Sequence, residues 1–161
     1  MSVTSVDKDF ERLTLTVVAE FAAPMDRVWQ LWADPRQLEQ WWGPPTFPAT
    51  FVEHDLTPGG TVTYFMTGPD GGRYGGLWRI TGVNPPKSLE FIDVFADENG
   101  APVEGMPATT VQMVLTEHDG GTRMELRSTF DTREQMDQII GMGAVEGMTA
   151  AIGQIDALIA A

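Results

Sequence analysis

Turn signals divide the middle of this 161-residue chain into short segments of strand length. Gly, Pro, Asn and Asp cluster at five places between residues 47 and 131, and they favour turns because Gly accepts positive φ and Pro fixes φ. Between the clusters, apolar and polar residues alternate as in half-buried strands. The predicted strands are 47–56, 60–67, 73–83, 88–96, 108–118 and 121–130. Short connections join antiparallel neighbours, so the pattern predicts a mostly antiparallel sheet.

The segments that flank this region add one strand and three helices. Residues 12–21 alternate and predict a seventh strand, and the next apolar residues recur at helical spacing. A second, two-turn helix begins at Asp34-Pro35 and ends before Gly43-Pro44-Pro45, because proline disfavours helical geometry in the residue before it. The apolar stripe of residues 133–160 predicts a long C-terminal helix.

This order of elements predicts an α+β fold. Three helices cannot cover both faces of a seven-stranded sheet. One face is therefore expected to be exposed to solvent, and the other to be buried as the curved sheet wraps around the terminal helix. A length of 161 residues suits one domain, and residues 1–161 are expected to form it.

The charge of the chain excludes several classes of partner. Ten basic residues stand against 23 acidic ones, a formal net charge of -13, which repels phosphate backbones and anionic lipids. We therefore expect neither a nucleic acid nor a membrane as partner. The chain has no cysteine, its N-terminus has no secretory pattern, and no apolar stretch approaches the roughly 20 residues of a membrane span, so a cytoplasmic location is expected.

Motifs for metal binding and nucleophilic catalysis are absent from the sequence. The two histidines, His54 and His118, lie on different predicted strands without the spacing of metal ligands. No G-x-S-x-G motif occurs, and the glycines of Gly141-Met142-Gly143 lie inside a predicted helix rather than between strand and helix. We therefore predict no metal and no cofactor, and assign no catalytic residue.

Four sequence blocks carry a resemblance to a known family. They are AP-x-x-x-VW at residues 23–29, DP-x-x-L-x-x-WWGP at 34–44, D-L-x-P-GG at 55–60 and M-x-GPDG at 66–71. With these blocks the chain resembles the homologues of the activator of heat-shock chaperone ATPase, in the START-like (SRPBCC) superfamily. The resemblance implies the helix-grip fold of the birch pollen allergen, in which a curved sheet and the terminal helix enclose a cavity. The chain departs from the family pattern at Met148, where tryptophan is usual.

The cavity implied by this fold gives the candidate ligand-binding residues. On the strands, we select the face that carries the larger apolar side chains. Trp42 from the WWGP block and two residues of the terminal helix complete the set. The candidates are Trp42, His54, Tyr64, Met66, Tyr74, Trp78, Phe91, Asp93, Phe95, Met113, Ile140 and Met148. Adjacent tryptophans on a helix point about 100° apart, so Trp41 is expected to anchor the short helix while Trp42 faces the cavity.

Alternatives remain open at several of these positions. The aliphatic candidates also fit an ordinary packed core. Asp93 is predicted to face the cavity, to lie near the edge of the sheet, or to pair with Arg79 or Arg127, and His54 fits either phase of its strand. Glycines in strand 73–83 and in the terminal helix either let the two walls pack closely or leave room for a guest.

The predicted function is binding of a small hydrophobic or aromatic molecule in the cavity without chemistry. One alternative, implied by the family, is a co-chaperone-like module that binds a heat-shock chaperone ATPase. Another is a polyketide-cyclase-like enzyme that uses Tyr64, Tyr74, His54, Asp93 and Arg79 as acid and base groups. A second copy of the chain is a further candidate partner.

Overall fold

The computed structural model describes residues 3–97 and 99–160, which contain one antiparallel sheet of eight strands. In chain order these are β1 (Val3–Asp9), β2 (Thr14–Phe21), β3 (Ala49–His54), β4 (Thr61–Thr67), β5 (Arg73–Asn84), β6 (Ser88–Ala96), β7 (Thr109–His118) and β8 (Gly121–Thr129). Their spatial order is β1-β2-β8-β7-β6-β5-β4-β3. The α+β class is confirmed, and each predicted strand ends within two residues of its observed bounds.

Strand β1 was missing from the sequence-based prediction. It pairs with β2 at the edge of the sheet, and its inner five residues are exposed. Because neither face of β1 is buried, its sequence VTSVDKD has no strong alternation of apolar and polar residues. Backbone pairing with β2 holds this strand in place.

The C-terminal region forms three helices in place of the predicted single long one. These are α3 (Arg133–Gly141), α4 (Ala144–Ile152) and α5 (Ile155–Ala160), preceded in the chain by α1 (Met25–Ala33) and α2 (Pro35–Leu38). The first break lies at Gly143, whose φ of 88° is in the left-handed region that glycine adopts without a Cβ clash. Helix α2 is one turn long, shorter than predicted, and the two tryptophans lie in the turn after it.

The segment Trp41-Trp42-Gly43 connects α2 to the core. Trp41 is 1% exposed, and its indole N–H donates to the carbonyl oxygen of Leu31 at 2.9 Å. The side-chain amide of Gln154, between α4 and α5, donates to the carbonyl oxygen of Gly43 at 2.7 Å. This hydrogen bond joins the WWGP turn to the C-terminal helices, which close over the concave face of the sheet.

Candidate ligand cavity

A cavity of about 250 Å³ lies between the concave face of the sheet and helices α3 and α4. A second lobe of about 270 Å³ extends along α4 toward Pro44. Both lobes share the lining residues Trp42, Tyr64, Met66, Asp93, Leu126, Ala144 and Met148. The walls are mostly aliphatic and aromatic, with few polar groups, as is usual for small-molecule sites.

The polar part of this wall comes from two neighbouring rows of the sheet. In one row Trp78 of β5 pairs with Asp93 of β6, which pairs with Thr109 of β7. In the next, Tyr64 of β4 pairs with Gly76 of β5. Cα partners in a sheet point their side chains to the same face, so these residues all face the cavity side.

Among the described residues, Asp93 is the single acidic one that lines either lobe. Burial raises its pKa to about 7, and a hydrogen bond with the Tyr64 hydroxyl partly opposes this by lowering it. Part of its surface stays accessible because it faces the cavity, while protein surrounds its other sides. Asp93 therefore changes charge near neutral pH inside an apolar chamber.

Tyr64 connects Asp93 to a cluster of aromatic rings. Burial and the neighbouring charge of Asp93 raise the pKa of its hydroxyl, so the phenol stays protonated and can donate to the carboxylate. Its ring stacks on Phe51 at 5.0 Å between centroids and lies 6.1 Å from Trp42 and 6.0 Å from Trp78. Packing on several sides fixes the ring next to Asp93.

Two indole N–H groups beside this cluster have no acceptor. The indoles of Trp42 and Trp78 lie close enough to the Tyr64 hydroxyl to lower its pKa. Within the described residues, however, neither buried Nε1 atom meets an oxygen with hydrogen-bonding geometry. A buried hydrogen-bond donor without a partner lowers the stability of the folded state by roughly 1–3 kcal/mol. The cluster therefore contains two N–H donors that no acceptor among the described residues uses.

Gly76 makes the position of Tyr64 possible. A Cβ atom at residue 76 would collide with the Cζ and hydroxyl oxygen of Tyr64. The phenol ring thus occupies the space that a side chain on β5 would otherwise fill.

We expect Gly76→Ala to displace the Tyr64 ring and to destabilise the protein by about 1–3 kcal/mol, the usual cost of overpacking. The displaced hydroxyl would no longer lower the pKa of Asp93, so that pKa should rise further. Chemical denaturation measures the first effect, and carboxyl NMR titration the second. The control is Gly82→Ala in the same strand, where the nearest atom to a new Cβ lies at 3.5 Å. Equal losses for the two variants would contradict the assigned role of Gly76.

The glycines of the C-terminal helices do not serve close packing. No atom outside the local helix lies within 4 Å of a Cβ placed at Gly141 or Gly147. Gly147 lines the second lobe and lies inside α4, where glycine costs about 1 kcal/mol relative to alanine. Of the two alternatives left open by the sequence, Gly147 favours room for a guest, whereas Gly141 is exposed and borders neither lobe. Gly75 favours close approach instead, since a Cβ there would lie 2.6 Å from the carbonyl oxygen of Ala96.

Seven of the twelve candidate residues line the cavity, namely Trp42, Tyr64, Met66, Tyr74, Asp93, Phe95 and Met148. The two tryptophans divide the predicted anchoring and lining roles only in part, because Trp41 is buried and hydrogen-bonded to Leu31 but also borders the second lobe, whereas Trp42 lines both lobes. Asp93 has no basic partner among the described residues, which contradicts the alternative pairing with Arg79 or Arg127. The salt bridge of Arg127 is with Glu125.

The other five candidates do not line either lobe. Trp78, Phe91 and Met113 are fully buried in the core. The Nε2 atom of His54 lies 3.0 Å from the carbonyl oxygen of Trp32, so this histidine caps α1 instead of facing the cavity. Ile140 packs on the smaller core cluster around Leu15 and Phe130.

The sequence reasoning missed two polar residues of the wall, Thr109 and Ser128. Thr109 is in phase with the inward residues of β7, and Ser128, which is 3% exposed, is in phase with those of β8. Strand alternation would have identified both. They were passed over because the choice of candidates favoured large apolar side chains. From the helices, Ile139 and Ala144 complete the wall.

Comparisons with known proteins agree with this geometry. The sequence model of the family described as "Activator of Hsp90 ATPase homolog 1-like protein" matches residues 22–160. No curated protein matches the chain significantly. In the part of the chain that the structure describes, no helix has the length and apolar character needed to cross a membrane.

Three solved structures illustrate the similarity. A crystal structure of a protein from Mycobacterium smegmatis is 56% identical, with a TM-score of 0.91 and coverage of 97% of this chain and 96% of that one. A solution NMR structure of a protein from Arthrobacter aurescens is 52% identical, with a TM-score of 0.94 and coverage of 99% and 92%. The AHSA1 protein from Silicibacter pomeroyi is 25% identical, with a TM-score of 0.73 and coverage of 91% and 97%.

Proposed function

This chain belongs to the family of Activator of Hsp90 ATPase homolog 1-like proteins, and on that premise we propose that it binds a small apolar or aromatic molecule in the cavity. The single observation that carries the proposal is the open, two-lobed chamber between the sheet and α4. A lobe of about 250 Å³ exceeds the engineered cavity of roughly 150 Å³ that holds benzene. Residues 1–161 act in this proposal as one ligand-binding domain.

The helix above the cavity supports this function. Gly147 leaves the second lobe open at a cost in helix propensity and without a packing reason. Met148, at the position where tryptophan is usual in the family, lines both lobes with a flexible thioether that adapts to irregular shapes. Selection for stability alone would favour alanine at residue 147.

We expect Ala144→Phe to abolish binding, because Ala144 lines both lobes and a phenyl ring there would fill the space between them. The probe is 3-phenylpropan-1-ol, a neutral aromatic alcohol, titrated by calorimetry and by ligand-observed NMR. Affinity should fall at least about tenfold, which corresponds to 1.4 kcal/mol. The matched control is Ala150→Phe on the exposed side of the same helix, for which affinity should stay that of the unaltered protein. Unchanged binding to Ala144→Phe would contradict the cavity as the site.

The family description favours a second candidate function, the binding of a heat-shock chaperone ATPase. The test is the ATPase rate of the host cell's own Hsp90-type chaperone with this protein in excess. An unchanged rate and no co-purification would exclude this function, and ligand binding in the cavity would stand independently of it.

The cyclase-like alternative loses two of its five proposed acid and base groups, His54 and Arg79. Tyr64, Tyr74 and Asp93 line the cavity, but His54 contacts the Trp32 carbonyl oxygen and lines neither lobe. Arg79 pairs with Ile92 in the row of the sheet that faces away from the cavity and is exposed. The five-residue arrangement expected for that chemistry is therefore not assembled.

A further inference from the structure

The geometry points to a specific ligand class for this cavity, a protonated amine with an apolar or aromatic body, held by the carboxylate of Asp93. This inference rests on the ligand-binding function proposed above. It identifies which end of the ligand is polar and which charge that end carries.

The first argument is the charge balance of the cavity wall. Asp93 lines both lobes, and in the described part of the chain no Lys, Arg or His lines either of them. A carboxylate in an apolar environment is costly unless it is protonated or receives an opposite charge. Within the described residues, the Tyr64 hydroxyl favours the charged form of Asp93, and no cation does so. A ligand ammonium group would supply the missing positive charge and further hydrogen-bond donors.

The second argument is the aromatic lining around this carboxylate. Trp42, Tyr64, Tyr74, Phe95 and Phe130 all border the lobe that contains Asp93. Aromatic rings attract a nearby cation through the negative face of the π-system, most strongly where water is excluded. The same rings accept the apolar body of the ligand, so one surface accommodates both ends of an arylalkylamine.

Anionic ligands are disfavoured by the same features. A ligand carboxylate such as that of a fatty acid would enter a chamber to which the described residues contribute no basic side chain and one acidic side chain. The net charge of -13 also lowers the local concentration of anions and raises that of cations. The selectivity order expected from the wall is therefore cation, then neutral molecule, then anion.

Amine binding should depend on pH through Asp93 itself. Asp93 pairs in the sheet with Trp78 of β5 and Thr109 of β7, and the residues that line both lobes with it include Tyr64 of β4, Trp42, Ala144 and Met148. Among these Tyr64 is the single titratable group, and burial raises its pKa, so it stays neutral. With the pKa of Asp93 at about 7, protons compete with the amine below that pH, and amine affinity should fall about tenfold per pH unit.

The test uses three probes with the same phenylpropyl body, namely 3-phenylpropylamine, 3-phenylpropan-1-ol and 3-phenylpropanoate, titrated at pH 8 and pH 6. For the unaltered protein at pH 8 we expect the amine to bind at least about tenfold more tightly than the alcohol, and the carboxylate to show no measurable binding. Between pH 8 and pH 6 amine affinity should fall about tenfold, while alcohol affinity stays constant.

The Asp93→Asn variant separates charge from shape. It should bind the amine no more tightly than the alcohol and lose the pH dependence, so the ratio of the two affinities is the readout. A cooperative transition in urea shows that the variant is folded. Equal amine and alcohol affinities in the unaltered protein, or an amine preference that survives Asp93→Asn, would overturn the inference and leave the cavity function intact. Failure of all three probes to bind would overturn both.

Discussion

Replacing Trp41 by alanine is expected to lower the free energy of unfolding by about 3–5 kcal/mol, the usual range for a fully buried tryptophan. Its ring is 1% exposed and lies 4.9 Å from the ring of Trp32, measured between centroids. The substitution also removes the donor to the buried carbonyl oxygen of Leu31. Denaturation in urea, followed by far-UV circular dichroism, measures the loss.

The adjacent tryptophan provides the matched control. Trp42 is partly exposed at the cavity wall, and its indole N–H has no acceptor among the described residues. Trp42→Ala should therefore cost less, about 1–3 kcal/mol, and should enlarge the cavity. A loss for Trp42→Ala equal to or greater than that for Trp41→Ala would show that Trp41 is not the main anchor of this turn.

The sheet was predictable because its signals are local. Turn residues fix the ends of β4 to β8, and alternation over each strand fixes which face is buried, so no long-range information was needed. Strand β1 lacks that alternation because it lies exposed at the sheet edge. The helix break at Gly143 was also not predicted, since glycine in an apolar stripe fits both a tolerated helix position and a left-handed end.

The cavity wall was predictable only in part. Alternation shows which face of a strand a residue occupies, but not whether the residue is packed in the core or lines the cavity. Asp93 and Phe91 lie on the same face of β6, yet Phe91 is stacked on Trp78 at 4.1 Å and fully buried. Two residues further along the strand, Asp93 lies in the cavity wall. The position of the covering helices decides between core and lining, and strand periodicity contains no information about that position.

The second large effect expected is on the pH dependence of stability, through Asp93. Burial raises the pKa of this carboxyl to about 7 in the folded protein, from an ordinary value of 3.8. Between these two values the folded state binds more protons than the unfolded state, so the free energy of unfolding falls as pH rises. Asp93 thus contributes stability that is fully present below about pH 4 and is lost as pH rises through about 7.

Asp93→Asn removes this titration while nearly preserving shape. At pH 4 the variant and the unaltered protein should agree within about 1 kcal/mol, whereas at pH 8 the variant should be more stable by about 2–4 kcal/mol, because each pKa unit corresponds to 1.36 kcal/mol. Urea denaturation of both proteins at both pH values measures the difference in their free energies of unfolding. The pH effects of the other carboxylates are shared by the two proteins and largely cancel in that difference. The exposed Glu104→Gln serves as the control and should give the same difference at pH 4 and pH 8. If Asp93→Asn instead destabilises the protein at pH 8, the carboxylate has a cationic partner in the folded chain, and the cavity has no unpaired charge to offer an amine.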